Sequence, residues 1–203
     1  MSVAMNKTVH ISDFMAHERF VTDNERQRIR ENLARHGITV YRGMSSFSDS
    51  ETVVVKPDRC PEIQLKADRF LIATGSYPFR PKNFPFHDPR VLDSDTILTL
   101  DVIPESMLVI GGGVIGCEYA CMFAALGVRV SIVEKSEKIV GGMDSEISIS
   151  LKSRMESAGI KFFMGDSVIK IECGKLVEVE LESSVTIQTH AVLVSSGRSG
   201  QSG

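Results

Sequence analysis

The sequence predicts an α/β chain built mainly on a doubly wound parallel sheet with helices on both faces, continued by an antiparallel β-meander. Three observations carry that expectation. Between residues 107 and 164 apolar runs alternate with stretches of helical periodicity, in the order strand, helix, strand, helix, strand. A glycine-rich stretch lies between the first run and the first helix. From Ser167 to Thr189 the hydrophobic period falls to two, the spacing of an antiparallel meander.

In chain order, Asn24 to His36 reads as a polar, arginine-rich helix with Ile29 and Leu33 on one face and Gly37 as its C-cap. Short β-like pieces follow at 38–41, 52–55, 63–65 and 69–73, separated by turn-rich stretches at 45–50 and 57–61. Pro78, Pro81, Pro85 and Pro89 then gather four of the seven prolines. Each removes a backbone donor, so this stretch holds neither a long helix nor a central strand. It marks a boundary, with one unit at 1–77 and a second at 78–203. A short helix over 94–100, capped by Asp93 or Ser94, opens the second unit. Beyond it lie a strand at 107–110, a helix at 114–126 closed by Gly127, and a strand at 128–133. A helix at 144–158 with Ile147, Leu151 and Met155 on one face, then a strand at 160–164, complete the alternation. Ala191 to Ser195 returns as one more apolar strand.

Composition narrows the function classes. With 42% hydrophobic and 24% charged residues, the 203-residue chain is of globular type. A net charge of -3 supplies no field for a phosphate backbone, so no nucleic-acid partner is expected. No apolar run approaches the roughly 20 residues of a membrane span, and no secretory signal opens the chain, so a cytoplasmic location is expected. Cys60, Cys117, Cys121 and Cys173 form no Cys-x-x-Cys pair and have no His at zinc spacing. Cys117 and Cys121, four apart on a helix, read as two buried small hydrophobes, and free thiols are expected. The five histidines form no cluster with Ser, Cys or Asp, and no hydrolytic triad, P-loop or metal site is legible.

The segment that carries chemistry is Leu108-Val-Ile-Gly111-Gly112-Gly113-Val114-Ile115-Gly116-Cys-Glu118. A lone Gly-x-Gly-x-x-Gly says little. This one follows an apolar strand and opens a helix, and Glu134 ends the next strand 18 positions after Gly116. That is the context of a Rossmann-like dinucleotide fingerprint. Gly111 permits the tight turn, Gly113 lets a pyrophosphate approach the backbone, and Gly116 lets the helix pack on the sheet. The helix amides face the phosphates, with Val114 and Ile115 in the first turn, and Glu134 accepts from the ribose hydroxyls. A glycine-rich turn without a ligand is the alternative. Glu134 favours NAD by repelling a 2′-phosphate, while Lys135 and Lys138 either pair with that phosphate or are solvated surface lysines. Glu118 reads as a first-turn residue favoured by the helix dipole. Arg198, after Ser196-Gly197, faces the cofactor side of the sheet or is simply solvated.

These residues resemble the pyridine nucleotide-disulfide oxidoreductase family, flavoproteins that bind two dinucleotides. Val40 to Phe47, with Gly43, is similar to the family strand that contacts the FAD adenine through its backbone. Phe70-Leu-Ile-Ala-Thr74-Gly75-Ser76 is similar to the Ala-Thr-Gly segment where the chain leaves the FAD domain, and Gly111 to Glu118 resembles the NAD fingerprint. Ser196-Gly197-Arg198 matches the segment that ends the NAD domain. The resemblance implies that 1–77 is a partial FAD-domain remnant and 78–203 an NAD(P)-binding domain. It places Glu118 near flavin and nicotinamide and implies a parent homo-oligomer that binds FAD. Within the family the likeness leans toward FAD-containing pyridine nucleotide transhydrogenases, on His87 to Leu98 and Val114 to Ala120; lipoamide dehydrogenases share most of the rest. The family's N-terminal FAD fingerprint, redox Cys-x4-Cys and C-terminal dimerisation domain are not in these residues, so the chain reads as an internal fragment inactive by itself. A free-standing nucleotide-binding module is the reading from another class.

Overall fold

A computed structural model describes residues 11–201, which form two compact units, one of residues 16–74 and one of residues 75–201 together with 11–15. Helix α1 (Ile11–Arg35) begins well before the expected Asn24, because the helix-compatible residues upstream carry no glycine or proline to stop it. It ends as expected. Gly37 takes φ +64, and Ile38 N–H returns to Leu33 O at 2.9 Å, closing a glycine C-cap.

The unit over residues 16–74 contains a three-stranded antiparallel sheet of β1 (Met44–Phe47), β2 (Thr52–Lys56) and β3 (Ile63–Lys66), in that order. Here strand and turn differ from expectation. Residues 38–41 are not a strand, and the first strand lies where a turn was expected, paired Met44 to Lys56 through Phe47 to Val53. The β2 ladder sets that register. Residues 69–73 are irregular and exposed, Leu71 at 93%, and pair with no strand among the described residues. Apolar content alone makes no strand without a ladder partner.

The unit over residues 75–201 holds the parallel sheet. β4 (Ser76–Pro78) pairs with β13 (Arg198–Gly200) at its margin. The sheet itself comprises β5 (Val91–Asp93), β6 (Ser106–Ile110), β7 (Arg129–Glu134), β8 (Lys161–Met164) and β12 (Ala191–Val194). Their order is β5-β12-β6-β7-β8. A short 3-10 turn at Thr96–Thr99 stands where a helix over 94–100 was expected; the Asp93 carboxylate accepts from Asp95 N–H and Thr96 N–H. Helices α2 (Val114–Ala125) and α3 (Ser145–Ser157) make the crossovers. β9 (Val168–Cys173), β10 (Val177–Leu181) and β11 (Thr186–Thr189) form the meander.

Alternate strand residues serve two cores. Met107, Val109, Val130 and Ile132 pack with Cys117, Ala120 and Phe123 of α2 and Met155 of α3. Leu108, Ile110, Val133 and Val192 pack with Ile171, Val177, Val179 and Leu181 of the meander. The parallel α/β expectation holds, with one amendment: both crossover helices cover one face, and the meander, not a helix, covers the other. The meander's inward Ile171, Val177, Val179 and Leu181 supply the apolar surface that a helix would otherwise provide. On α3, Met155 is buried and Leu151 half-buried, but Ile147 is 56% exposed; Ser148 takes the inward place and donates to Ile139 O at 2.7 Å.

Candidate functional site

The strand order reverses between β6 and β12, the position where open α/β sheets leave a crevice at their carboxyl ends. The glycine turn lies there. Gly111 takes φ +106, and its N–H donates to Val133 O at 2.8 Å. A Cβ on Gly111 would lie 2.6 Å from Ser195 O; one on Gly116 would strike the Gly111 carbonyl and lie 2.6 Å from Ser195 Oγ. Those two glycines are therefore the closed side of the turn, where α2 lies against the strand ends. Gly113 is the open side. Nothing lies within 4 Å of the position of its Cβ, it is the N-cap of α2, and no side chain caps the helix. Val114 is half exposed and Ile115 half-buried.

Gly112 is held on both sides. Its N–H donates to Glu134 Oε2 at 2.6 Å, and its carbonyl accepts from Val140 N–H at 2.8 Å and Cys117 Sγ at 3.5 Å. Glu134 Oε1 accepts from Ser136 N–H at 2.8 Å. Each carboxylate oxygen keeps a further lone pair. Val140, buried and β-branched, takes φ +42, a conformation that costs on the order of 1–3 kcal/mol and persists only where surroundings impose it. Of the two lysines, Lys138 donates to Met143 O at 2.6 Å and Ser145 Oγ at 3.2 Å, while Lys135 is exposed. Burial pushes the Cys117 thiol up to about 11, with the charges of Cys121, Glu134 and Glu118 adding to it.

The other expected residues fall in varied places. Glu118 is exposed and is the fifth residue of α2, past the first turn, so the helix-dipole reading does not apply. Gly197 takes φ +122, and its carbonyl accepts from Phe79 N–H at 3.0 Å. The Arg198 guanidinium bonds Ser76 Oγ and O at 2.8 Å, Ser94 Oγ at 3.0 Å and Asp95 Oδ1 at 3.2 Å, so it braces the sheet margin and is not simply solvated. Gly75 O accepts from Gln201 N–H. Gly43 and Thr74 belong to the 16–74 unit, Gly43 pressed on the Lys56 carbonyl. Cys121 is exposed, unlike the expected buried pair, because four helical positions advance the direction by about 40° and carry it to the helix edge.

Two features went unread in the sequence. Ser195 Oγ reaches Ile110 O at 3.0 Å and Gly111 O at 3.1 Å, joining the end of β12 to the turn; a small polar residue after an apolar strand was its only trace. The second is a correction. Histidine does meet serine: Ser106 Oγ lies 2.8 Å from His190 Nδ1, and Glu105 lies 3.7 Å from Nε2. Ser106 Oγ also accepts from the backbone N–H of His190 at 3.2 Å and lies 3.3 Å from Thr189 Oγ1, so the contact ties the start of β6 to the residues just before β12. Among the described residues no group of acidic, His and Cys side chains could hold a metal, and no helix is long and apolar enough to cross a membrane.

A strand, a glycine turn closed at two positions and open at one, a helix and a carboxylate at the next strand end define a βαβ unit of the dinucleotide-binding class. The chain belongs to the pyridine nucleotide-disulphide oxidoreductase family, whose sequence pattern matches residues 2–202. It is 37% identical over 192 residues to a soluble pyridine nucleotide transhydrogenase of Mycobacterium bovis (strain BCG / Pasteur 1173P2), covering 94% of this chain and 41% of that protein. A protein of the same name from Pseudomonas putida (strain GB-1) is 41% identical over 169 residues, 82% of this chain and 36% of its own length. The chain thus spans about two fifths of the length of these relatives. LpdA from Mycobacterium tuberculosis shares the fold with a TM-score of 0.86 at 22% identity, over 98% of this chain and 44% of that one. The HOCl-induced flavoprotein disulfide reductase RclA from Escherichia coli does so with a TM-score of 0.82 at 24% identity, over 97% and 45%.

Proposed function

We propose that residues 78–203 bind a nicotinamide dinucleotide, and that the chain is part of a cytoplasmic, homo-oligomeric flavoprotein moving hydride between NADPH and NAD through FAD. The observation that carries the binding is the asymmetry of the turn. Gly111 and Gly116 are closed by protein, whereas Gly113 faces open space at an uncapped helix N-terminus. A pyrophosphate fits there, where backbone amides point outward and the helix dipole favours negative charge. Glu134, oriented by Gly112 and Ser136, accepts from the adenosine ribose with its spare lone pairs. Pro81, Phe84, Val168 and Glu134 line a cavity of about 310 Å³ beside it, of the size and polarity an adenosine needs.

The bound nucleotide supplies or accepts the hydride. The chain's residues position it: the turn fixes the phosphates, Glu134 and Lys135 set the response to a 2′-phosphate, and exposed Glu118 reaches toward the nicotinamide end. Gly43, Thr74 and Gly75 belong to the FAD side, in a remnant over residues 1–77. The 37–41% identity to proteins named transhydrogenases supports that activity over a disulfide reductase.

The test is a titration of the chain with NADH and NADPH at fixed salt. A transhydrogenase handles both nucleotides, so dissociation constants within about tenfold, roughly 1.4 kcal/mol, are expected. Binding of NADH alone, by more than about a hundredfold, overturns the transhydrogenase reading in favour of a lipoamide dehydrogenase-like one. Binding of neither overturns the whole proposal.

A further inference from the structure

The amino ends of the parallel strands, at the far end of the sheet from the glycine turn, carry a second cavity of about 470 Å³. Strand register explains why it exists. In a parallel pair, facing residues point to the same side, and within a strand every second residue does. Ser131 faces Lys161 and Arg129 faces Ser106, so Arg129, Ser131 and Lys161 share the meander-covered face with Leu108, Val133 and Phe163. Toward the carboxyl end that face is apolar and covered by Val177, Val179 and Leu181. Toward the amino end it turns polar and cationic, and there the sheet and β11 diverge, leaving the cavity between Arg129, Lys161 and Phe163 on one side and Ile187 and Gln188 on the other.

The charges are not balanced within the protein. Arg129 has Glu105 at 3.8 Å, both side chains about three-quarters exposed, a pair worth little in water. Lys161 makes no hydrogen bond or ion pair among the described residues. Two cations on neighbouring strands point to the same side, beside the half-buried Phe163 and Ser131. A floor that is apolar and a rim that is cationic and hydrogen-bonding is the composition of a small-molecule site.

We infer that this cleft is a second ligand site, separate from the glycine turn, taking a small organic anion. Its carboxylate lies between Arg129 and Lys161, and its apolar body rests on Phe163 and Ile187. An anion there gains charge-assisted hydrogen bonds from both side chains. The apolar body gains burial against Phe163. A bare inorganic anion gains only the first of these.

The test is two-dimensional amide NMR of the full chain titrated with benzoate, with benzyl alcohol and inorganic phosphate as comparison probes. The expected result is saturable shifts clustered at residues 106–108, 129–131, 161–163 and 186–188 with benzoate. Benzyl alcohol and phosphate should each bind at least tenfold more weakly. Arg129→Gln/Lys161→Gln should weaken benzoate at least tenfold while leaving NADH binding and the melting temperature unchanged. Both substituted side chains are exposed, so the variant is expected to fold. Absence of saturable shifts at the cleft overturns the inference. So does equal binding of benzyl alcohol or phosphate, or an unchanged benzoate affinity in the double variant. Benzoate shifts confined to residues 111–116 also overturn it, since they would mean only adventitious binding of an anion to the glycine turn.

Discussion

Glu134 Oε2 accepts a hydrogen bond from Gly112 N–H at 2.6 Å, joining the end of β7 to the turn that follows β6. A carboxylate expected to hold a ribose thus also holds the turn that would hold the pyrophosphate. Removing it does two things at once, and two substitutions separate them.

Glu134→Gln keeps an acceptor for Gly112 and loses the charge, whereas Glu134→Ala loses both. The alanine variant forfeits a charge-assisted hydrogen bond worth about 1.5–3 kcal/mol. At about 2–4 °C per kcal/mol for a chain of this length, its melting temperature should fall by roughly 3–12 °C. Glu134→Gln, whose amide oxygen serves Gly112 but whose NH2 then faces Ser136 N–H, should lose less than the alanine variant without matching wild type. In both, the ratio of NADPH to NADH dissociation constants should drop, because the charge that repels the 2′-phosphate is gone. Thermal melts and titrations at one salt concentration measure both effects.

Gly116→Ala tests the closed side of the turn. The added methyl meets the Gly111 carbonyl and Ser195 Oγ, neither the free end of a flexible side chain. Such overpacking costs about 1–3 kcal/mol. The variant should lose several degrees of melting temperature together with NADH affinity.

Acid should act through Asp88. The Arg90 guanidinium, bonded at 2.8 and 2.9 Å, holds its carboxyl well below the ordinary 3.8 despite partial burial. A depressed folded pKa contributes stability that is fully present above the unfolded value and is lost as pH falls through the folded one. Urea midpoints should therefore be flat above about pH 5 and decline below about pH 4. Asp88→Asn should be less stable at neutral pH and show a shallower acid decline. An unchanged acid slope in that variant contradicts the assignment.

Thiol reactivity should follow burial. With Cys117 held at about 11, little of it is thiolate at pH 8, whereas Cys60 and Cys121 are exposed. Mass spectrometry after brief alkylation at pH 8 should find Cys60 modified first, Cys121, whose thiol burial also pushes up, more slowly, and Cys117 spared.

What was legible in the sequence was local. The alternation from residue 107 to 164, the Gly37 cap and the roles of Gly111 and Gly116 follow from period, φ and the lack of a side chain. What was not legible depends on partners distant in sequence. Residues 38–41 and 69–73 have strand-like composition, but a strand exists only where a ladder forms, and the register of β2 placed β1 at Met44–Phe47 instead. The face covered by the meander rather than a helix could not be read from period alone, since both bury the same apolar residues. Ser195, Val140 and the Ser106–His190 contact join residues brought together by the parallel sheet and its loops, which no local motif announces.

Gly113→Val puts to the test whether the open side of the turn binds a dinucleotide pyrophosphate. The valine enters space with no protein atom within 4 Å at a position of extended backbone, φ -73, so the fold tolerates it apart from the weak N-cap preference of valine, about 1 kcal/mol. Calorimetric titration of wild type and Gly113→Val with NADH, alongside their melting temperatures, is the measurement. Melting temperatures within about 4 °C of each other and at least a hundredfold loss of NADH affinity, roughly 2.7 kcal/mol, are expected if the pyrophosphate lies there. Equal affinity for NADH in the two proteins would contradict it.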